Sequence, residues 1–154
     1  MHAYGKDNHD HDVPMGLDLQ MHACRVTVHS HAELRVLFEK LEAWMRILGY
    51  PRKDIFAVLI SFSEAAANAV RHGNGGDPRV PFQVRYLVRQ DEVWVEVEDE
   101  GSGFDWRQPS GPYPENSVAR PGRRGLFLMR TYMTWVCFNP RGNCVSLGRR
   151  RSHE

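Results

Sequence analysis

Ser63-Glu-Ala-Ala-Ala-Asn-Ala-Val-Arg-His-Gly-Asn74 is the stretch on which the fold and the function both turn. Glu64, Asn68 and His72 stand four apart, so on a helix they share one face. Ala65, Ala66, Ala67 and Ala69 leave little bulk beside them, and a ligand could approach the backbone closely there. An Asn side-chain oxygen is a hard neutral ligand that suits Mg²⁺ already held by phosphates. A carboxylate one turn earlier can orient or deprotonate an attacking hydroxyl. Taken alone, the segment reads equally as an amphipathic helix with a polar edge.

Upstream, Ile55, Leu59, Phe62, Ala66 and Ala69 form the buried stripe of this helix, and Pro51 sits where it can begin. A preceding helix opens at Ser30, with Glu33 completing a capping box, and ends at Gly49. Leu34, Leu37, Phe38, Leu41, Trp44, Met45 and Leu48 recur on its inner face. Cys24–Val28 alternates as a first strand. Downstream, Gly73, Gly75, Gly76 and Pro78 break the chain. Phe82, Val84, Tyr86 and Val88 then alternate as a strand whose antiparallel partner carries Val93, Val95 and Val97, joined through a turn at 90–92.

A second chemical segment, Glu98-Asp-Glu-Gly-Ser-Gly-Phe104, follows that partner strand directly. Asp99 at the strand end can accept a hydrogen bond from an exocyclic amine such as that of adenine. Gly101 and Gly103 free the backbone for a turn close to a base and ribose. A glycine turn after a strand is commonplace, so this segment alone is weak. The third segment is Arg120-Pro-Gly-Arg-Arg-Gly-Leu-Phe-Leu-Met129. Glycines running into a helix N-terminus present unpaired N–H groups and a positive dipole end to an anion, triphosphate being the obvious one. Residues 106–124, rich in proline, read as a long loop of the kind that is either functional or disordered. Leu126–Met133 reads as a short helix. Trp135–Phe138 and Cys144–Leu147 make a final hairpin in which Gly142 can take positive φ.

The order of strand, two helices, two strands, loop, helix and two strands predicts an α+β fold. It is a two-layer α/β sandwich, its sheet antiparallel or mixed and its helices packed on one face. The expected division is a disordered His/Asp-rich leader over 1–20, able at most to bind a metal weakly, one domain over 21–150, and a tail at 151–154. Lys+Arg 20 against Asp+Glu 19 gives a net charge of +1, which offers no bulk field for nucleic acid or an anionic membrane. No apolar run approaches the roughly 18 residues of a membrane span. Arg149-Arg150-Arg151 reads as part of a solvated tail. Three cysteines without metal-type spacing are expected to be reduced thiols, Cys137 and Cys144 facing each other across the last hairpin. The expected location is cytoplasmic.

In their order and separation, the three segments resemble the N-box and the two glycine boxes of the GHKL (Bergerat-fold) ATPases. Glu64-Ala-Ala-Ala-Asn68-Ala-Val-Arg-His72-Gly73, Gly125-Leu-Phe-Leu-Met129 and the Phe138-Asn-Pro-Arg-Gly-Asn143 hairpin look most like the anti-sigma-factor serine kinases of bacteria. The resemblance runs from about residue 24 to 150. It implies ATP and Mg²⁺ as ligands, with Asn68 on the metal and Glu64 as catalytic base toward a serine or threonine hydroxyl. Asp99 would recognise adenine, with Gly101 and Gly103 shaping the base pocket. His72 and Gly73 would border the nucleotide, and Gly122, Arg123, Arg124, Gly125 and Leu126 would meet the phosphates beneath a short lid. The implied partners are an anti-sigma-antagonist protein of the STAS type and often a sigma factor, and members are often homodimers. Where the family reads Gly-x-Gly-Leu, Gly122-Arg-Arg-Gly125 puts Arg123 at the first glycine's place, unless Gly122 takes over by a one-residue shift. A cation there could still pair with phosphate. The rival to a kinase is a non-catalytic nucleotide-binding module that sequesters a protein partner. A histidine kinase's catalytic half ranks lower, because no phospho-accepting hairpin is present in the sequence.

Overall fold

A computed structural model describes residues 21–73, 77, 81–103, 106 and 123–153. The leader 1–20, Gly75, Gly76, Pro78, Gly122, Glu154 and, apart from its ends, the loop 106–124 lie outside the described residues. Among the described residues the five strands are β1 (Met21–Val28), β2 (Phe82–Arg89), β3 (Glu92–Glu98), β4 (Trp135–Phe138) and β5 (Cys144–Arg150). The helices are α1 (His31–Ile47), α2 (Arg52–Asn68) and α3 (Arg123–Tyr132). The sheet runs β1-β2-β3-β5-β4, and every pairing is antiparallel. It is the α+β sandwich expected from the sequence, with the mixed-sheet option removed.

Alternation in the strands decides which face is covered. Val84, Tyr86 and Val88 on β2 and Val93, Val95 and Val97 on β3 are buried beneath the helices. Leu37, Leu41 and Met45 of α1 meet them with Ile55, Val58 and Phe62 of α2, and Phe38 packs edge-on against Phe62 at 4.6 Å. Ser30 caps α1 through the Glu33 amide at 3.2 Å, and the Glu33 carboxylate accepts from the amide of His29 at 2.6 Å. Such a cap contributes about 1 kcal/mol. Gly49, at φ +77°, supplies the left-handed turn after α1. Pro51 stands at the N-cap of α2, one place before the helix proper.

Several boundaries differ from the sequence reading. β1 begins at Met21, because its register with β2 extends to the Met21–Arg89 pair. A π-wound turn, Ala69–Gly73, continues α2 without a break. α3 starts at Arg123, three residues before Leu126, so Arg123, Arg124 and Gly125 form its first turn instead of a preceding loop. Arginine is a good helix former, and the glycine is accommodated because its open face lies against α2.

The C-terminal arginines are not a solvated tail. Arg149 pairs with the fully buried Asp54, its Nε donating to Oδ1 at 2.9 Å. Arg151 donates to the Leu48 carbonyl at 2.8 Å and to the Gly49 carbonyl, and its guanidinium lies 5.0 Å over the Tyr50 ring. The cysteines are free thiols, but Cys137 stands opposite Ser146 and Phe138 opposite Val145, so Cys137 and Cys144 are not a cross-strand pair.

Candidate functional site

The end of α2, the end of β3 and the β4–β5 turn meet around a small, open cleft. Ala65, Asn68, Ala69 and His72 supply one wall, Val97 and Asp99 the floor, and Gly142, Asn143 and Cys144 the far side. The alternation that buries Val95 and Val97 puts Asp99, two residues on, toward the same helix-covered side. The small side chains of Ala65 and Ala69 are what keep the wall thin.

Asp99 is 8% exposed. Burial raises its pKa above the usual carboxylate range, while the Gly101 amide, donating to Oδ1 at 2.8 Å, and the charge of Arg141 pull the other way. A Cβ on Gly73 would fall 2.2 Å from the Asp99 Cγ, and one on Gly101 would fall 2.4 Å from the Gly73 Cα. Glycine is therefore required at both positions for the helix end and the Asp99 turn to touch. At Gly103, with φ +85°, a Cβ would fall 1.7 Å from the Arg141 carbonyl oxygen.

That turn is braced by residues which the sequence reading did not single out as functional. The Asn143 amide nitrogen donates to the Asp99 carbonyl at 2.9 Å, and the Asp99 amide donates to the Asn143 carbonyl at 2.8 Å. Asn139 holds Asn143 in turn, its Oδ1 accepting from the Asn143 amide at 3.0 Å and the Cys144 amide at 3.1 Å. Arg141 donates to the Gly101 carbonyl at 3.0 Å, and the Trp106 indole N–H donates to the Asn139 carbonyl at 3.1 Å. The signal was the Asn139-Pro-Arg-Gly-Asn143 hairpin, legible as a turn, but a turn sequence does not say which neighbouring loop it will hold.

The second meeting point is α2 with α3. A Cβ on Gly125 would lie 2.8 Å from Glu64 Oε2 and 3.5 Å from Asn68 Nδ2. Glu64, half-buried, and Asn68, 7% exposed, thus share the ground beneath the first turn of α3. Asn68 Nδ2 is buried and has no hydrogen-bond partner among the described residues, whereas Oδ1 accepts from Arg71 Nη1 at 3.2 Å. An unsatisfied buried donor is costly, and a ligand oxygen would satisfy it. His72 lines the cleft with its pKa lowered by burial and, secondarily, by the charge of Arg71.

The structure thus brings Asn68, His72 and Asp99 to one cleft, packs Gly73 and Gly101 against Asp99 and Gly103 against the Arg141 carbonyl, and sets Glu64 and Asn68 beside Gly125. Leu126 is 6% exposed and gives its side chain to the core. Arg124 is exposed at the start of α3, and Arg123 lies in the same first turn. Asn68 offers a phosphate-held cation one hard oxygen, which faces the Arg71 guanidinium, while its Nδ2 lies toward Gly125 at the start of α3. Mg²⁺ takes few protein ligands and completes its shell with phosphate oxygens and waters. Elsewhere among the described residues, Glu96, Glu98 and Cys144 converge within 4.8 Å, but on the sheet face away from the helices. Arg85 already pairs with both carboxylates there.

An antiparallel sheet covered by helices on one face, with a buried Asp at a strand end facing an Asn-bearing helix, defines a nucleotide-binding domain of the histidine-kinase-like kind. The chain belongs to the histidine kinase-like ATPase domain family, whose model matches residues 27–149. It is 38% identical over 95 residues to the serine-protein kinase RsbW of Bacillus velezensis, a match covering 58% of this chain and 59% of that protein. The serine-protein kinase RsbW of Listeria monocytogenes is 35% identical over 91 residues, covering 55% of this chain and 58% of that protein. The chain therefore spans somewhat under three-fifths of the length of these relatives. Among solved structures, the RsbU and RsbW domains of Rv1364c from Mycobacterium tuberculosis share the fold, with a TM-score of 0.58 at 19% identity. That likeness covers 86% of this chain and 33% of the other. No helix among the described residues is long and apolar enough to cross a membrane.

Proposed function

We propose that this chain binds ATP with Mg²⁺ and transfers the γ-phosphoryl group to a serine or threonine hydroxyl of a protein partner. The observation that carries the reading is the pairing of a buried Asp99 at the base side of the cleft with Glu64 and Asn68 beneath the start of α3. In this reading Asp99 accepts from the adenine amino group. Asn68 Oδ1 contributes a metal ligand, and Gly125 allows phosphate to lie close to the helix start, where backbone N–H groups favour an anion. Mg²⁺, when bound, neutralises phosphate charge.

Glu64 takes the proton of the attacking hydroxyl as its oxygen forms a bond to the γ-phosphorus. The bond from that phosphorus to the β-bridging oxygen breaks, and ADP leaves. Phosphoryl transfer needs mainly positioning and charge neutralisation, so few side chains suffice. The relatives' name, serine-protein kinase, supports a protein hydroxyl as acceptor. The partner in this reading is an anti-sigma-antagonist of the STAS type, and the kinase sequesters a sigma factor as a homodimer in the cytoplasm.

Incubation with γ-labelled ATP and an antagonist protein tests the transfer. Label is expected on a serine or threonine of the antagonist. Glu64→Gln is expected to cut the rate at least about 100-fold, the scale of a lost general base, with ATP affinity retained. ATP binding without transfer to any antagonist tried, and no effect of Glu64→Gln, would favour the non-catalytic module.

A further inference from the structure

Arg71 stands three residues beyond Asn68, in the π-wound turn that follows α2. Its Nη1 donates to Asn68 Oδ1 at 3.2 Å. A guanidinium carries donors only, so this contact makes the oxygen, and not the amide nitrogen, the end of Asn68 that faces Arg71. The other end, Nδ2, is buried and has no partner among the described residues. The Asn68 amide is therefore held at one atom, the same atom that the proposed function assigns to the metal.

An Mg²⁺ ligand distance is about 2.1 Å. A divalent ion on Oδ1 with the guanidinium still in place would set two cations within a few ångströms, a strongly repulsive arrangement. Arg71 itself is exposed and carries a long flexible stem, so it can leave without disturbing the core. We propose that Arg71 is a placeholder cation: it occupies the Asn68 oxygen until the metal–nucleotide pair enters, and its displacement sets the Mg²⁺ concentration at which the site loads. The inference rests on the reading of Asn68 as the metal ligand. It makes Arg71 a positioning residue, acting through Asn68.

Calorimetric titration with ADP at stepped Mg²⁺ tests this on the full chain, comparing the parent with Arg71→Ala, Arg71→Lys and Asn68→Ala. Arg71→Ala is expected to lower the Mg²⁺ concentration for half-maximal gain in ADP affinity by about fivefold, the scale of one charge-assisted hydrogen bond. Arg71→Lys, which keeps the charge but not the fork, should fall between. Without nucleotide, the Asn68 side-chain amide signal in a ¹⁵N spectrum should move on Arg71→Ala. An unchanged or raised Mg²⁺ requirement in Arg71→Ala, with Mg²⁺ dependence still lost in Asn68→Ala, would overturn the placeholder and leave Asn68 as the ligand. ADP binding indifferent to Mg²⁺ in the parent and in Asn68→Ala would instead overturn the metal assignment, and the placeholder with it.

Discussion

Burial raises the pKa of the Asp99 carboxyl, and only the Gly101 amide and the Arg141 charge counter it. A carboxyl whose folded pKa lies above its unfolded value contributes most to stability below the unfolded pKa. That contribution is lost as pH rises through the folded value, so at neutral pH the ionised Asp99 is a net cost to the fold. A binding group kept at such a cost is expected where function needs it. Asp99→Asn retains an oxygen to accept from Gly101 and removes the buried charge. Thermal unfolding of the ligand-free variant at pH 7 should occur roughly 2 °C higher, and the difference should shrink in mildly acid buffer. A lower midpoint at pH 7 would show the charge to be structurally needed. The buried position of Asp99 at the strand end was legible in the sequence because a strand's alternation runs through Val93, Val95 and Val97 to it. The role of Asn143 was not, since its side chain acts across 44 residues on a backbone carbonyl.

Among the elements, α2 is anchored at its start by a contact between distant parts of the chain. Asp54 in its first turn is fully buried. Burial alone would raise its pKa, but the Ser152 hydroxyl at 2.7 Å, the Ser152 amide at 2.9 Å and the Arg149 guanidinium together hold it below the ordinary carboxylate range. Arg149→Ala leaves that carboxylate without its cation and should cost about 3 kcal/mol, read as a lower denaturant midpoint. Because the folded pKa of Asp54 is depressed, its contribution is present above the unfolded pKa and fades as pH falls through the folded one. The variant's deficit should therefore narrow in acid. A deficit that is pH-independent and below about 1 kcal/mol would mark the pair as a surface-type contact. The sequence reading took these arginines for a tail because a charge run is normally solvated, and the pairing partner lies 95 residues away. It also missed the π-wound turn and the early start of α3. Both depend on what packs alongside: Gly73 against Asp99, and Gly125 against Glu64.

At the scale of the whole molecule, element order and the alternation of the strands were enough to give the sandwich and its covered face. Local periodicity writes those features directly. What it does not write is the convergence of α2, the Asp99 turn and the β4–β5 turn, which is fixed by glycines whose missing side chains allow contact. The central claim is that this convergence is a nucleotide site. Titration of the purified chain with ATP in the presence of Mg²⁺, beside Asp99→Asn, tests it most directly. Saturable binding is expected, weakened at least about 100-fold in the variant because a buried recognition partner is left unmatched. A folded parent protein that takes up no ATP, or Asp99→Asn binding as tightly as the parent, would contradict the account.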